Sequence, residues 1–336
     1  MAQMKYFYEL TISSSPHAHS PVTTQTIMRD VLIALVPALL GSIYFFGFRA
    51  LLVTLVSAAA CVFFEWGFCK IRKLHCKTYD LSAVVTGVLL AFVCPVTIPY
   101  WTIILGDFFA IVLVKMLFGG LGKNIVNPAL AGRAFLFSWP VLMSNWVKVG
   151  FDNAAGLLST ADAVTAATPM SAMHQGALPE ESILDMFLGN IGGSLGEISA
   201  LLLIVGGLYL IWRKVINWQT PAAYIATVAV LTFLFPKGGA DNLQFMLYSI
   251  FGGGLMLGAF FMATDYTTSP VTKTGQLIFG LGCGLLTVFI RYFGSYPEGV
   301  CYSIMIMNLV VALIDKAVKP SRFGVVKSAN KEAAAK

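Results

Sequence analysis

Residues Val31 to Phe48 read VLIALVPALLGSIYFFGF, a run of 18 positions without a charged side chain. An α-helix needs about 20 consecutive, mainly apolar residues to cross a bilayer. The rest of the 336-residue chain has a similar character, since 57% of its residues are hydrophobic and 11% are charged, against roughly 25% charged residues in soluble proteins. The sequence therefore predicts an all-α polytopic membrane protein and excludes an ordinary soluble domain.

Nine further apolar runs follow, several of them short enough to require tilted or broken helices. They are Leu51–Phe68, Leu81–Val96, Trp101–Phe118, Pro128–Met143, Ile198–Trp212, Pro221–Phe235, Phe245–Met262, Leu277–Ile290 and Val300–Ile314. We expect about ten transmembrane helices in two groups of five. The predicted organisation is an N-terminal arm (1–30), a first membrane repeat (31–143), an intervening segment (144–197), a second membrane repeat (198–315) and a basic tail (316–336).

The distribution of basic residues predicts the orientation in the membrane. With both termini inside, 18 of the 22 Lys and Arg residues fall on the inner side, and only Arg49, Lys148, Lys237 and Arg291 fall outside. Cytoplasmic loops carry the excess of positive charge in membrane proteins. We therefore expect cytoplasmic termini and an extracytoplasmic segment 144–197.

The two groups of runs resemble each other in sequence. Residues 86–92, TGVLLAF, lead into Cys94-Pro95, and residues 253–260, GGLMLGAF, lead into Ala263-Thr264-Asp265. An odd number of spans per group inverts the second group relative to the first. Inverted repeats commonly bring Gly- or Pro-interrupted helices together near the midplane of the membrane.

Acidic residues inside the apolar runs are candidates for ion handling, because charge in the membrane is costly. Asp265 follows a Gly-rich run and has hydroxyl neighbours that could complete an oxygen-lined cation site. Asp107 lies in the first repeat. Glu65 and Asp315 are interpreted as solvated or paired charges at helix ends. The six cysteines lack a Cys-x-x-Cys pair, and neither they nor His17 and His19 predict a metal site.

The segment around residues 159–170, STADAVTAATPM, has no sustained apolar period. Asp162 and Thr165 can cap backbone N–H groups, and Pro169 forces Thr168 into an extended conformation. Taken alone, the segment is a loop or a helix cap with an accessible hydroxyl group.

Residues 118–135, FGGLGKNIVNPALAGRAF, resemble the signature shared by the D subunit of the Rnf ion-translocating oxidoreductase and the B subunit of the sodium-pumping NADH:quinone reductase. The N-terminal stretch Ser13-Ser14-Ser15-Pro16-His17 resembles the opening of Rnf D subunits. In this family a motif Asp-x-x-(Ser/Thr)-Gly-Ala-Thr carries FMN as a phosphoester on its last threonine. The motif falls on Asp162, Thr165, Ala167 and Thr168, with Ala166 in place of the usual glycine.

The resemblance also implies a non-covalent riboflavin, which we place near Gly119, Gly120 and Asn124, where glycines permit close approach and asparagines can satisfy free carbonyls. It implies a bacterial or archaeal cytoplasmic membrane, surrounding lipid, and a complex with iron–sulfur subunits and a second covalent-flavin subunit. A flavin transferase would attach the FMN. The expected function is electron transfer in a complex that couples ferredoxin:NAD oxidoreduction to sodium or proton translocation.

Two alternatives remain open from the sequence. One is the quinone reductase B subunit, and the other is a secondary transporter or channel, since inverted repeats with broken helices are common there. The chain has no phosphate-loop motif for ATP and no dinucleotide fingerprint. NAD and ferredoxin sites are therefore expected on partner subunits, and no catalytic residue is assigned to this chain. The sequence gives no indication of nucleic-acid binding.

Overall fold

The computed structural model describes residues 22–73, 78–143, 146, 168–179, 181–237, 241–294 and 298–319. These residues form helices and connecting segments, and none of the described residues lies in a β-strand. The predicted all-α class is confirmed for this part of the chain. The N-terminal arm up to residue 21, most of segment 144–167 and the basic tail from residue 320 lie outside the described residues.

The first group of helices covers the first five predicted apolar runs. It comprises α1 (Thr24–Phe46), α2 (Phe48–Ile71), α3 (Ser82–Phe92), α4 (Tyr100–Phe108), which continues as a π-helical stretch over Phe109–Met116, α5 (Pro128–Leu136) and α6 (Pro140–Met143), with a 3₁₀ turn at Thr78–Asp80. Two short helices, α7 (Pro169–His174) and α8 (Ile183–Leu188), follow in the connection.

The second group covers the other five runs. It comprises α9 (Ala200–Trp212), α10 (Gln219–Leu234), α11 (Asn242–Phe251), α12 (Leu255–Leu257), which continues as a π-helical stretch over Gly258–Met262, α13 (Lys273–Phe293) and α14 (Val300–Ala317). In the first group α2 packs against α3 and α4, and in the second α10 packs against α11 and α13.

Four described helices, α1, α2, α13 and α14, are long and apolar enough to cross a membrane. The pair α11 and α12 makes a fifth candidate span, bent by 60° at its break. Large apolar side chains on these helices point outward, among them Phe63, Phe289 and Leu309, each about 60% exposed. Such surfaces suit contact with lipid tails, so the chain is a multi-pass membrane protein.

Three of the predicted runs are not single continuous helices. Run 245–262 bends at Gly252–Gly254, where Gly253 and Gly254 adopt φ values of 63° and 66°. These left-handed conformations favour glycine. Run 81–96 is helical only from Ser82 to Phe92, and run 128–143 is divided between α5 and α6. The shortest runs, by contrast, lie in the continuous helices α9, α10, α13 and α14.

Glycines allow the helices of the core to approach closely. A Cβ atom added to Gly87 on α3 would lie 2.7 Å from Ala58 Cα on α2, and one added to Gly206 on α9 would overlap the Ala34 carbonyl oxygen on α1. Small residues let helix backbones approach where lipid supplies no hydrophobic driving force. The α1–α9 contact joins the first group of helices to the second.

Candidate functional site

A cavity lies between the two groups of helices. We call it the central cavity. Its walls are largely apolar and come from α1, α3, α9 and the π-helical end of α12. Its polar groups come from the π-helical continuation of α4, from the loop before α5 and from the loop after α12. The apolar wall includes Ile27, Met28, Val31, Val85, Leu89, Leu210, Phe260 and Phe261, and the polar groups include Lys115, Asn124, Asn127, Thr264, Asp265 and Thr267.

The two asparagines of the Gly-rich motif satisfy backbone carbonyls, as predicted. Asn124 Nδ2 donates to the Val126 carbonyl at 3.2 Å, and Asn127 Nδ2 donates to the Met262 carbonyl at 3.3 Å. Asn127 Oδ1 also accepts from Ala129 N at 3.0 Å and so caps α5. Asn127 therefore starts α5 and ties it to the end of α12 in the other helix group.

Asp265 follows α12 and faces the central cavity. Its Oδ2 accepts hydrogen bonds from Thr267 Oγ1 at 3.0 Å and Thr268 Oγ1 at 3.3 Å. The hydroxyl groups of Thr264 and Tyr266 instead donate to the carbonyls of Phe260 and Val215. Burial raises the pKa of Asp265 above its ordinary value, and the hydrogen bonds from the two threonines oppose this shift.

Lys115 provides buried positive charge beside the central cavity. Its Nζ lies 3.1 Å from Glu65 Oε2 and donates to Ser82 Oγ at 2.6 Å. Asp80 Oδ1 accepts from both the hydroxyl and the backbone N–H of Ser82. Glu65 is thus a paired charge, as one of the two interpretations from sequence proposed, although Lys115 was not expected as its partner.

Gly119 and Gly120 do not line the central cavity. They line a neighbouring open cleft together with Glu65 and Asp80, whereas Leu121 borders both. Gly119 and Gly120 have φ values of 112° and 87°, and a Cβ on Gly120 would meet no atom within 4 Å. The left-handed backbone favours glycine at position 120.

Thr168 is the N-cap residue of α7, with an extended backbone (φ −67°, ψ 149°). This matches the expected effect of Pro169. The Thr168 side chain makes no capping hydrogen bond to the described part of helix α7. Thr168 is buried, whereas the sequence predicted an accessible hydroxyl group. Asp162, Thr165 and Ala167, the remaining predicted residues of this motif, lie outside the described residues.

A second, smaller cavity lies beside α7. Its lining includes the rings of Phe245 and Tyr292 and the basic side chain of Lys237. Lys237 Nζ donates to the Tyr292 carbonyl at 2.8 Å and stands 5.2 Å from the centre of the Tyr292 ring. Aromatic surface and positive charge thus meet next to the helix that Thr168 begins.

Asp107 lies away from the central cavity, on α4. Ser57 Oγ is 2.7 Å from its Oδ1, and Cys61 Sγ is 3.2 Å from the same oxygen. The side chain is fully buried. The structure therefore does not bring Asp107 and Asp265 into one described cavity.

A second buried charge cluster holds the start of α9 and the start of α14 to α5. The Arg133 guanidinium contacts Glu197 Oε1 at 3.1 Å and also pairs with Glu298. Ser194 donates to Glu197. Nothing in the sequence within four residues of Arg133 indicates these partners, since they are 64 and 165 residues away.

A known protein family matches most of this chain. The family described as "NQR2, RnfD, RnfE family" matches residues 11–324. The chain belongs to this family. The match spans both helix groups, the central cavity and Thr168, so the membership applies to the whole membrane region and not to a single motif.

Curated members of the family align along nearly their full lengths. The chain is 46% identical over 324 residues to the D subunit of the Na(+)-translocating ferredoxin:NAD(+) oxidoreductase complex of Acetobacterium woodii, covering 95% of this chain and 96% of the relative. It is 45% identical to the D subunit of the proton-translocating ferredoxin:NAD(+) oxidoreductase complex of Clostridium ljungdahlii, covering 94% and 96%. It is 35% identical to the D subunit of the ion-translocating oxidoreductase complex of Actinobacillus succinogenes, covering 92% and 96%.

Proposed function

We propose that this chain is the membrane-embedded D subunit of an Rnf-type complex that couples ferredoxin:NAD oxidoreduction to ion translocation. The observation that carries the proposal is the similarity of 45–46% over nearly the whole chain to two relatives named for this reaction. The buried charges beside the central cavity are consistent with a redox and ion-handling subunit. NAD and ferredoxin bind to partner subunits.

The membrane region consists of ten spans in two inverted repeats, with both termini in the cytoplasm. Each of the ten apolar runs coincides with a helix or a broken helix pair. The packing of α2 against α3 and α4, repeated by α10 against α11 and α13, supports the repeat. This arrangement places the segment 144–197, with Thr168, outside the cytoplasm.

FMN is attached to the Thr168 hydroxyl through its phosphate. Thr168 is buried, and the absence of a side-chain cap to α7 leaves its hydroxyl without a hydrogen bond to that helix, so the hydroxyl can carry a phosphoester once the site opens to the transferase. The cavity beside α7 offers aromatic walls, and Lys237 offers positive charge for a phosphate. Bound flavin supplies one- and two-electron redox chemistry. The chain's own residues hold the attachment point at the start of α7.

Riboflavin occupies the central cavity. Binding sites for small ligands are mainly apolar and carry a few convergent polar groups. The apolar wall of the central cavity and the side chains of Asn124, Asn127 and Asp265 suit an uncharged aromatic ring system that carries a polyhydroxyl chain. Asn124 and Asn127 orient the ligand, and Asp265 faces it from the other helix group.

Asp265 and Asp107 are the candidates for the ion pathway. Asp265 combines a carboxylate with two hydroxyl groups at the edge of the central cavity. The other subunits, including iron–sulfur subunits and a second covalent-flavin subunit, deliver and remove electrons. A flavin transferase modifies Thr168 during maturation.

In-gel fluorescence under denaturing conditions tests the flavin assignment, using protein co-expressed with a flavin transferase. Wild type and a Thr160→Val control, which lies outside the motif, are expected to be fluorescent, Thr168→Val is expected to be dark, and mass spectrometry is expected to find FMN on the Thr168 peptide. A dark wild type with an unmodified peptide would remove covalent flavin from the account. It would then favour the transporter alternative.

The quinone reductase B subunit belongs to the same family description. Affinity purification of the tagged chain from its native membranes separates the two assignments. The Rnf assignment predicts co-purified iron–sulfur subunits and NAD reduction by reduced ferredoxin. Quinone reduction by NADH with no ferredoxin-dependent activity would support the alternative.

A further inference from the structure

The carboxyl group of Asp107 lies in the helix core with little to compensate a negative charge. Its side chain is fully buried, and its Oδ2 has no hydrogen-bond partner among the described residues. Within the described part of the chain, no Lys or Arg side chain forms an ion pair with it. An ionised carboxylate buried in this way costs several kcal/mol.

The contacts of Ser57 allow the protons at this position to be counted. Ser57 Oγ lies 2.7 Å from Asp107 Oδ1 and 2.8 Å from the Gly87 carbonyl oxygen. A serine hydroxyl has one hydrogen to donate. With Asp107 ionised, both neighbours of Ser57 are pure acceptors and compete for that hydrogen. With a proton on Oδ1, Asp107 donates to Ser57, Ser57 donates to Gly87, and both short contacts are full hydrogen bonds.

The surroundings favour a proton over a metal cation as the ligand. Hard cations are held by several oxygen ligands at once. The oxygens gathered here belong to Asp107, Ser57 and the Gly87 carbonyl, and the fourth polar neighbour is the Cys61 thiol. Ile103 and Ile111, one turn away on either side of Asp107, are fully buried apolar residues.

A polar stripe connects Asp107 to one end of the helix bundle. Ser57, Cys61 and Glu65 are spaced by four residues, so they share one face of α2. Glu65 pairs with Lys115 and lines the open cleft that also contains Asp80. The stripe therefore runs from an open cleft, past a thiol, to the buried acid.

We propose that Asp107 is a proton-binding site of the membrane region, loaded from the Glu65 end of this stripe. This proposal rests on the proposed ion-translocating function only in saying what the bound proton is used for. Whether Asp107 carries a proton is a property of the chain itself and does not depend on either flavin.

Other titratable groups near Asp107 come from each helix that packs against it. From α2 they are Cys61 and Glu65, and from the segment after α3 the group is Cys94, a buried free thiol. Helix α5 carries Arg133, which pairs with Glu197 and Glu298. On the π-helical continuation of α4, Lys115 pairs with Glu65. The cations are thus engaged elsewhere.

Infrared spectroscopy of the purified complex, with ¹³C-labelled aspartate and H₂O/D₂O exchange, tests the proposal directly. At neutral pH, wild type is expected to show the carbonyl band of a protonated aspartic acid. Asp107→Asn is expected to lack it, while Asp315→Asn, at the end of α14, is expected to retain it. Ser57→Ala is expected to shift the band, because the hydrogen-bond partner of the acid proton is removed.

Two results would overturn the proposal. One is a wild-type spectrum without an aspartic-acid band at neutral pH, or with a band unchanged in both Asp107→Asn and Ser57→Ala. The other is a band that disappears when Na⁺ is added, which would make Asp107 a metal-cation site. The same measurement on the Thr168→Val complex is expected to give the wild-type band, so failure of the flavin assignment remains distinguishable.

Discussion

Replacing Lys115 with methionine removes the positive charge that faces Glu65 in the interior. The two side chains are 2% and 7% exposed, and the Nζ–Oε2 distance is 3.1 Å. Removing one partner of a buried ion pair costs about 3–5 kcal/mol, because the other charge stays buried without compensation. Each 1.4 kcal/mol is a tenfold change in an equilibrium constant. Lys115→Met is therefore expected to lower the folded-to-unfolded ratio by about two to nearly four powers of ten.

A double-mutant cycle measures how much of this loss belongs to the pair. Glu65→Gln in the Lys115→Met background replaces the uncompensated charge with a neutral amide, and we expect it to recover about 2–3 kcal/mol, within the range measured for coupled neighbours. Reversible unfolding by SDS in mixed micelles, followed by tryptophan fluorescence, gives the free energies. The exposed Lys123→Met serves as control and is expected to change stability by less than about 0.5 kcal/mol.

If the unfolding free energy of Lys115→Met lay within about 1 kcal/mol of wild type, the buried ion pair would not contribute the expected stability. A double variant less stable than Lys115→Met alone would contradict it equally, because the ion pair would then not explain the loss. Neither result depends on flavin content when the measurements are made on flavin-free protein.

Three further predictions concern the joint between the helix groups and the central cavity. Asn127→Ala removes the cap of α5, which costs about 1 kcal/mol, and the hydrogen-bond partner of a buried carbonyl, which costs about 1–3 kcal/mol. We expect the free energy of unfolding in SDS to fall by both amounts. Asn124→Ala loses only a local hydrogen bond and is expected to stay closer to wild type. Gly206→Ala, whose added Cβ would overlap α1, is expected to lower the stability by about 1–3 kcal/mol. Gly67→Ala has open space around the added Cβ and is expected to be neutral or up to about 1 kcal/mol more stable. Equal effects of the two variants on thermal unfolding would contradict the close contact between α1 and α9. Burial raises the folded-state pKa of Asp265, so the contribution of this residue to stability is present below the unfolded-state pKa and is lost as pH rises through the folded-state pKa. The stability advantage of Asp265→Asn over wild type is therefore expected to increase with pH. A pH-independent difference in unfolding free energy would contradict this prediction.

The apolar runs predicted where helices lie because a bilayer requires long apolar segments, and this requirement is visible in any single stretch of sequence. The breaks were harder to place. Residues 245–262 were predicted as one apolar run, whereas the structure bends by 60° between α11 and α12, an angle that depends on how both pieces pack against other helices. Local sequence has no access to that packing.

The candidate site was predictable only where its partners are close in sequence. Thr267 and Thr268, beside Asp265, were recognised as possible partners, and two of the hydroxyls do contact it. Ser57 and Asp107 are 50 residues apart, so their contact follows from the pairing of α2 with α4 and not from a motif. Gly120 was predicted for close approach to a ring or a helix, and its left-handed backbone is a further reason for glycine that the sequence did not indicate.

Coupled transport by the reconstituted complex tests whether this chain carries electrons through a flavin at Thr168. The tagged chain is purified with its partners and placed in vesicles, and ferredoxin-dependent NAD reduction is followed together with ion accumulation. Wild type is expected to perform both, and a Thr168→Val complex with an unchanged set of partner proteins is expected to perform neither. A Thr168→Val complex that keeps both electron transfer and ion accumulation would contradict the claim that this chain carries electrons through a flavin at Thr168.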